Sequence, residues 1–137
     1  VADLAANKAL TRRLWEEAWG GHRVDVCDEI FTADIRLHVM GRTVESLDDM
    51  RANIERWVAS FPDLSAVVDL QAAEGDLVAD RCTFSGTHGG APFREIEPSG
   101  AAVSFTQTTF CRIDGDRIAE IWEDVDFAGF MRQLSGS

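Results

Sequence analysis

The sequence predicts an α+β domain in which helices pack against one face of a curved, mainly antiparallel sheet. Three observations carry this. Helical stripes occupy the first 61 residues, strand-like alternation dominates residues 64–125, and 137 residues of 45% hydrophobic composition suit one core rather than two. Residues 1–137 are therefore read as a single domain.

The elements follow in order. Asp3 caps a first helix in which Leu10, Leu14 and Ala18 recur at helical spacing, Trp15 and Trp19 widen the stripe, and Gly20-Gly21 end it. Asp25 caps a short second helix through VCDEIF, and DIRLHVM then alternates as a strand carrying His38. Ser46 and Asp49 make a capping-box pattern for the next helix, whose face is Met50, Ile54, Trp57, Val58 and Phe61 and whose stop is Pro62. LSAVVDLQAAEGDLVADRCTFSG reads as a hairpin turning at Glu74-Gly75-Asp76. Residues 87–101 hold turn formers with little periodicity, a long loop expected to be a mobile lid or mouth. VSFTQTTFCRI and DRIAEIWEDV are the last strands, joined at Asp114-Gly115, and Asp126 caps a closing helix.

Composition excludes several classes. A net charge of −11 disfavours holding phosphate backbones, so nucleic acid is not an expected partner. No window approaches the roughly 18 apolar residues of a membrane span, and VADLAANKAL lacks the regions of a signal peptide; the chain reads as cytoplasmic, with no membrane partner. Cys27, Cys82 and Cys111 are odd in number and set among apolar residues, as reduced core thiols are. Three scattered histidines and no ligand-spaced carboxylate set predict no metal.

Strand alternation selects the site. Val103, Phe105, Gln107, Thr109, Cys111 and Ile113 share one face of the penultimate strand, and Ala119, Ile121, Glu123 and Val125 share one face of the last. Glu123 is thus a carboxylate among aliphatics with Gln107 across the hairpin, an arrangement suited to acid or base work once burial raises the carboxyl's pKa; the plainer reading is a Glu reaching water at a strand end. His38 either looks into the same cavity as a third catalytic candidate or out to solvent. Trp15, Trp19, Trp57, Phe61 and Phe105 are candidate walls for a flat ligand, with Thr109 and Ile121 beside them and His88 at the start of the long loop. The opposite face, with Ser104, Thr106, Thr108, Phe110, Ile118 and Trp122, is apolar and Thr-rich enough to predict a homo-oligomer, at least a dimer.

FPDL at 61–64, AEGD at 73–76, Arg81 followed by GTHGG at 86–90, and DGDRIAEIWEDVD at 114–126 together resemble the SnoaL-like polyketide cyclases of the nuclear-transport-factor-like cone superfamily, over about residues 5–134. The resemblance implies a cone of helices on a strongly bent mixed sheet, an apolar cavity, no cofactor, and aldol-type cyclisation of an aromatic polyketide. It places the catalytic acid directly after the last strand's Trp, on Glu123, where the characterised cyclases carry Asp. It also places a Gln and a His two residues apart on the preceding strand; here the Gln is Gln107 and the His position holds Thr109. Close relatives are thought to assist hydroxylation of aromatic polyketides, which stands as an alternative. A cavity that binds without chemistry, and an oligomerisation module, are others. The steroid-isomerase and epoxide-hydrolase branches of the superfold rely on a Tyr, and this chain has none.

Overall fold

A computed structural model describes residues 2–136; Val1 and Ser137, the ends of the expected 1–137 domain, lie outside the described residues. Helix α1 (Leu4–Arg13) begins where the Asp3 carboxylate accepts from the Ala6 N–H. The predicted helix does continue towards Gly20, but as a π-helical turn over Leu14–Trp19. That wider turn brings Leu14, Trp15, Ala18 and Trp19 together onto the core side, and all four are buried. After the short α2 (Cys27–Ile30), strand β1 (Phe31–Val39) turns through Met40 and Gly41 into β2 (Arg42–Val44). Both turn residues have positive φ, 49° and 76°, as a tight hairpin of this hand requires. Sequence alternation does not reveal β2, because three residues are too few to show a period.

Helix α3 (Leu47–Ser60) starts at Ser46, whose hydroxyl accepts from the Asp49 N–H. The hairpin of β3 (Ser65–Glu74) and β4 (Leu77–Thr87) and that of β5 (Ala102–Asp114) and β6 (Arg117–Val125) then build the sheet, and α4 (Phe127–Ser135) closes the chain from its Asp126 cap. Strand order is β2-β1-β6-β5-β4-β3. The β1–β6 pair is parallel and the rest are antiparallel, so the sheet is mixed and Val39 of β1 lies level with Glu123 of β6.

Burial along β5 alternates as expected, with Val103, Phe105, Gln107, Thr109, Cys111 and Ile113 all buried. One position on β6 departs from expectation. Ile118, assigned from alternation to the outer face, is fully buried, because the β5–β6 register shifts between Arg112 and Ile113 and the bulge turns Ile118 inward. The three cysteines are free and buried. Helix α1 is tied to the sheet through Asp80, a buried carboxylate that accepts from Trp15 Nε1 (3.0 Å) and Gln71 Nε2 (2.8 Å), while Gln71 also donates to the Lys8 carbonyl. These donors satisfy a charge that would otherwise be costly to bury. At the other end of the sheet Phe130 of α4, fully buried, packs against Phe61, Trp57, Phe93 and Phe105. Among the described residues no helix is long and apolar enough to cross a membrane.

Candidate active site

Gln107 and Glu123 face the same narrow slot inside the sheet's concave side. Register explains the pairing. Thr109 lies directly opposite Glu123 and Val125 opposite Gln107, so the two polar side chains are diagonal neighbours on one face, about 7–8 Å apart at the backbone. Trp19, Phe84, Phe105 and Trp57 supply aromatic wall, and Asn53 of α3 adds a third polar group.

Neither key polar group is tied up. Gln107 is 6% exposed and its Nε2 has no hydrogen-bond partner among the described residues. Leaving such a donor unmet costs roughly 1–3 kcal/mol. Glu123 forms no hydrogen bond or ion pair among the described residues; it is half-buried, bordering the slot on one side and an open groove beside Met40, Thr43 and Trp122 on the other. Burial pushes its carboxyl up to about 7, against the pull of the Arg42 guanidinium, which favours the charged form. A carboxyl so placed exchanges protons readily near neutrality.

The slot itself is small, about 40 Å³, room for water rather than a ring system. The roomier space lies outside the apolar cavity that the resemblance implies. Stacked Phe84 and Phe105 (5.5 Å) and the Trp57 ring (5.7 Å from Phe105) fill the interior, and a chamber of about 330 Å³ opens beyond them. Met40, Arg42, Asn53, Trp57 and Phe127 border both spaces, so slot and chamber are neighbours that share these side chains as a common wall.

Several sequence-selected residues lie elsewhere. His38 is on the outer face: its Nε2 lies 2.7 Å from Glu120, its ring stacks on Trp122, and the contact with His38, helped by Arg112, holds the Glu120 carboxyl below its usual range. The reason is alternation, since Leu37 and Val39 take the buried face. Trp15 is committed to Asp80, and Phe61, Ile121 and Thr109 are fully buried behind the wall rather than on it. His88 is not a mouth residue. Fully buried against Phe61, its Nε2 donates to the Ala91 carbonyl (2.9 Å) and fastens the loop that follows.

That loop does reach the chamber, through Ala91, Pro92, Phe93 and Arg94. Its first half is strapped to α3: the Gly90 and Ala91 N–H groups donate to the Ser60 and Ala59 carbonyls, and the Ser60 hydroxyl donates to the Pro92 carbonyl. Its second half runs exposed through residues 97–99 and is then tied back, the Gly100 N–H donating to the His88 carbonyl and the His88 N–H to the Ala101 carbonyl.

Asn53, Arg42 and Met40 were not selected from sequence. Asn53 had a signal: it falls three residues after Met50 and four before Trp57, a lone amide inside the apolar stripe of α3, and it is buried. Arg42 and Met40 reach the site only through the unpredicted β1–β2 turn.

A family model described as SnoaL-like polyketide cyclase matches residues 9–134. The chain belongs to the SnoaL-like polyketide cyclase family. Solved SnoaL-like neighbours agree with the α+β cone. TsrD of Streptomyces laurentii is 27% identical with a TM-score of 0.88, covering 100% of both chains. AclR of Streptomyces galilaeus, a proposed hydroxylase, is also 27% identical with a TM-score of 0.88, over 98% of this chain and 84% of its own. A proposed SnoaL-like polyketide cyclase from Jannaschia sp. CCS1 is 26% identical with a TM-score of 0.87, over 98% and 94%. No curated protein sequence matches significantly. Among the described residues of this SnoaL-like chain, no group of His, Cys, Asp and Glu is arranged to hold a metal ion.

Proposed function

We propose that this SnoaL-like protein is a cofactor-independent enzyme that closes a ring in an aromatic polyketide-like substrate by intramolecular aldol chemistry. The observation that carries the reading is the pair of unengaged polar groups, the Glu123 carboxyl and the Gln107 amide, at the inner end of an aromatic-walled site. The substrate's ring lies in the outer chamber against Trp57 and Phe127, and its reacting carbonyls enter the slot. Glu123 as carboxylate takes the proton from a carbon flanked by two carbonyls, and Gln107 donates from Nε2 to the developing enolate oxygen. As the new carbon–carbon bond forms, the protonated Glu123 returns that proton to the acceptor carbonyl oxygen. One carboxyl thus serves as base and then acid, and ends unchanged. Turnover of a polycarbonyl aromatic substrate by wild-type protein and Glu123 variants is the test.

Thr109 favours a second reading, assistance to hydroxylation of an aromatic polyketide, because it stands where the resemblance places a His and supplies no titratable group. In that reading the same site orients and polarises a ring carbonyl without forming a carbon–carbon bond. Product mass separates the two: cyclisation by aldol addition conserves it, and hydroxylation adds one oxygen.

The working form we propose is at least a dimer, joined through the outer sheet face. Val67, Leu70, Leu77, Phe110 and Trp122 are exposed there, from 39% to 67%. Light scattering at micromolar concentration is expected to give twice the chain mass, falling to the monomer value in Phe110→Glu. A wild-type monomer would contradict this.

A further inference from the structure

The chain carries 24 acidic residues against 13 basic ones, yet the wall of the outer chamber contains three arginines and no Asp or Glu. Arg42, Arg56 and Arg94 come from three separate segments, β2, α3 and the long loop. Six other arginines, Arg12, Arg13, Arg23, Arg36, Arg51 and Arg112, are matched with carboxylates. The three in the chamber form no ion pair among the described residues. An acidic protein that gathers three guanidinium groups without an ion pair around one concavity, only Arg42 among them acting on Glu123 alongside, creates a local positive field there.

Two of the arginines are also held by contacts. The Arg94 guanidinium lies over the Phe127 ring at 4.8 Å, and its backbone sits at φ 54°, a left-handed conformation that a non-glycine residue rarely adopts. Stacking on its face leaves the N–H edge free to donate. Arg56 donates from Nη2 to Asn53 Oδ1 at 3.4 Å, joining the chamber to the slot's amide. Arg42 borders both spaces and acts electrostatically on Glu123.

We propose that the outer chamber is a subsite for an aromatic carboxylate: its ring packs between Trp57 and Phe127, and its carboxylate is received by Arg42, Arg56 and Arg94. This rests on the reading of the site as a polyketide-type pocket and narrows the substrate to a molecule that enters as a free acid, not as a neutral ester. A chamber of about 330 Å³ suits two or three fused rings.

Binding of 2-naphthoate and of 2-naphthamide, followed by quenching of tryptophan fluorescence, tests this with matched shapes. The acid is expected to bind about ten-fold more tightly than the amide, with the preference shrinking as salt rises from about 0.05 to about 0.5 M. The double variant Arg42→Gln/Arg94→Gln is expected to bring acid and amide within about two-fold of each other. Arg81→Gln, which alters an exposed arginine on β4 away from the chamber, is expected to leave the preference intact. Equal binding of acid and amide to the wild type overturns the anion subsite and leaves the aromatic pocket standing. Binding of neither probe overturns both. A loss in Arg81→Gln equal to that in the double variant would reduce the preference to general surface charge and overturn the subsite.

Discussion

Replacing Glu123 with Gln is expected to lower turnover by at least about 10²-fold while leaving the fold intact, since a carboxamide can neither take the carbon-bound proton nor return it to the acceptor oxygen. The side chain is nearly isosteric, makes no hydrogen bond or ion pair to lose among the described residues, and borders space rather than packed core. Glu123→Asp keeps the acid but withdraws it by about one methylene, and a displacement near 1 Å is expected to cost about 10²-fold at most. The order wild type, Asp, Gln is therefore the signature of a transferred proton. Because Glu123 must begin as a carboxylate, and its carboxyl is raised to about 7, kcat/KM is expected to fall as pH drops through that value. Unchanged turnover in Glu123→Gln, measured by product formation under saturating substrate, would remove Glu123 from the chemistry.

The second expected result needs no substrate. A carboxyl whose pKa lies above its unfolded value holds an extra proton in the folded state across the interval between the two values. Its contribution to stability is therefore fully present below the unfolded pKa, near 4.5, and is lost as pH rises through about 7. Glu123→Gln removes this loss. The variant is expected to match the wild type near pH 4.5 and to exceed it by ~1–3 kcal/mol at about pH 8, seen as a Tm several degrees higher. Glu120 and Asp63, whose carboxyls are held below their usual range by hydrogen bonds, act in the opposite sense at lower pH but cancel in the comparison. A Tm difference between the two proteins that does not vary with pH would mean that Glu123 is solvated in the folded state.

What the sequence could reveal followed the range of each signal. The inner face of β5 was legible because alternation is a local property and nothing interrupts it from Val103 to Ile113. On β6 the same rule succeeded at Glu123 and failed at Ile118, where a bulge inserts one residue and reverses the count. The N-terminal stripe was legible as helix, but the π turn that gathers Trp15 and Trp19 was not, since both periods place these residues on one side. The neighbour relation of β1 and β6 was out of reach. It joins Val39 to Glu123 across more than half the chain, and no local pattern encodes it. Cavity volume was hidden for a different reason: Phe84, Phe105 and Trp57 read equally well as walls or as filling, and only their packing shows that they fill.

The measurement that bears most directly on the account is a crystal structure of the protein soaked with a hydroxylated anthraquinone carboxylic acid. The expected result is a ring system in the chamber between Trp57 and Phe127, with a carbonyl oxygen within about 2.6–3.2 Å of both the Glu123 carboxyl and Gln107 Nε2. A ligand bound only on the outer sheet face, with the slot at Glu123 filled by water alone, would contradict it.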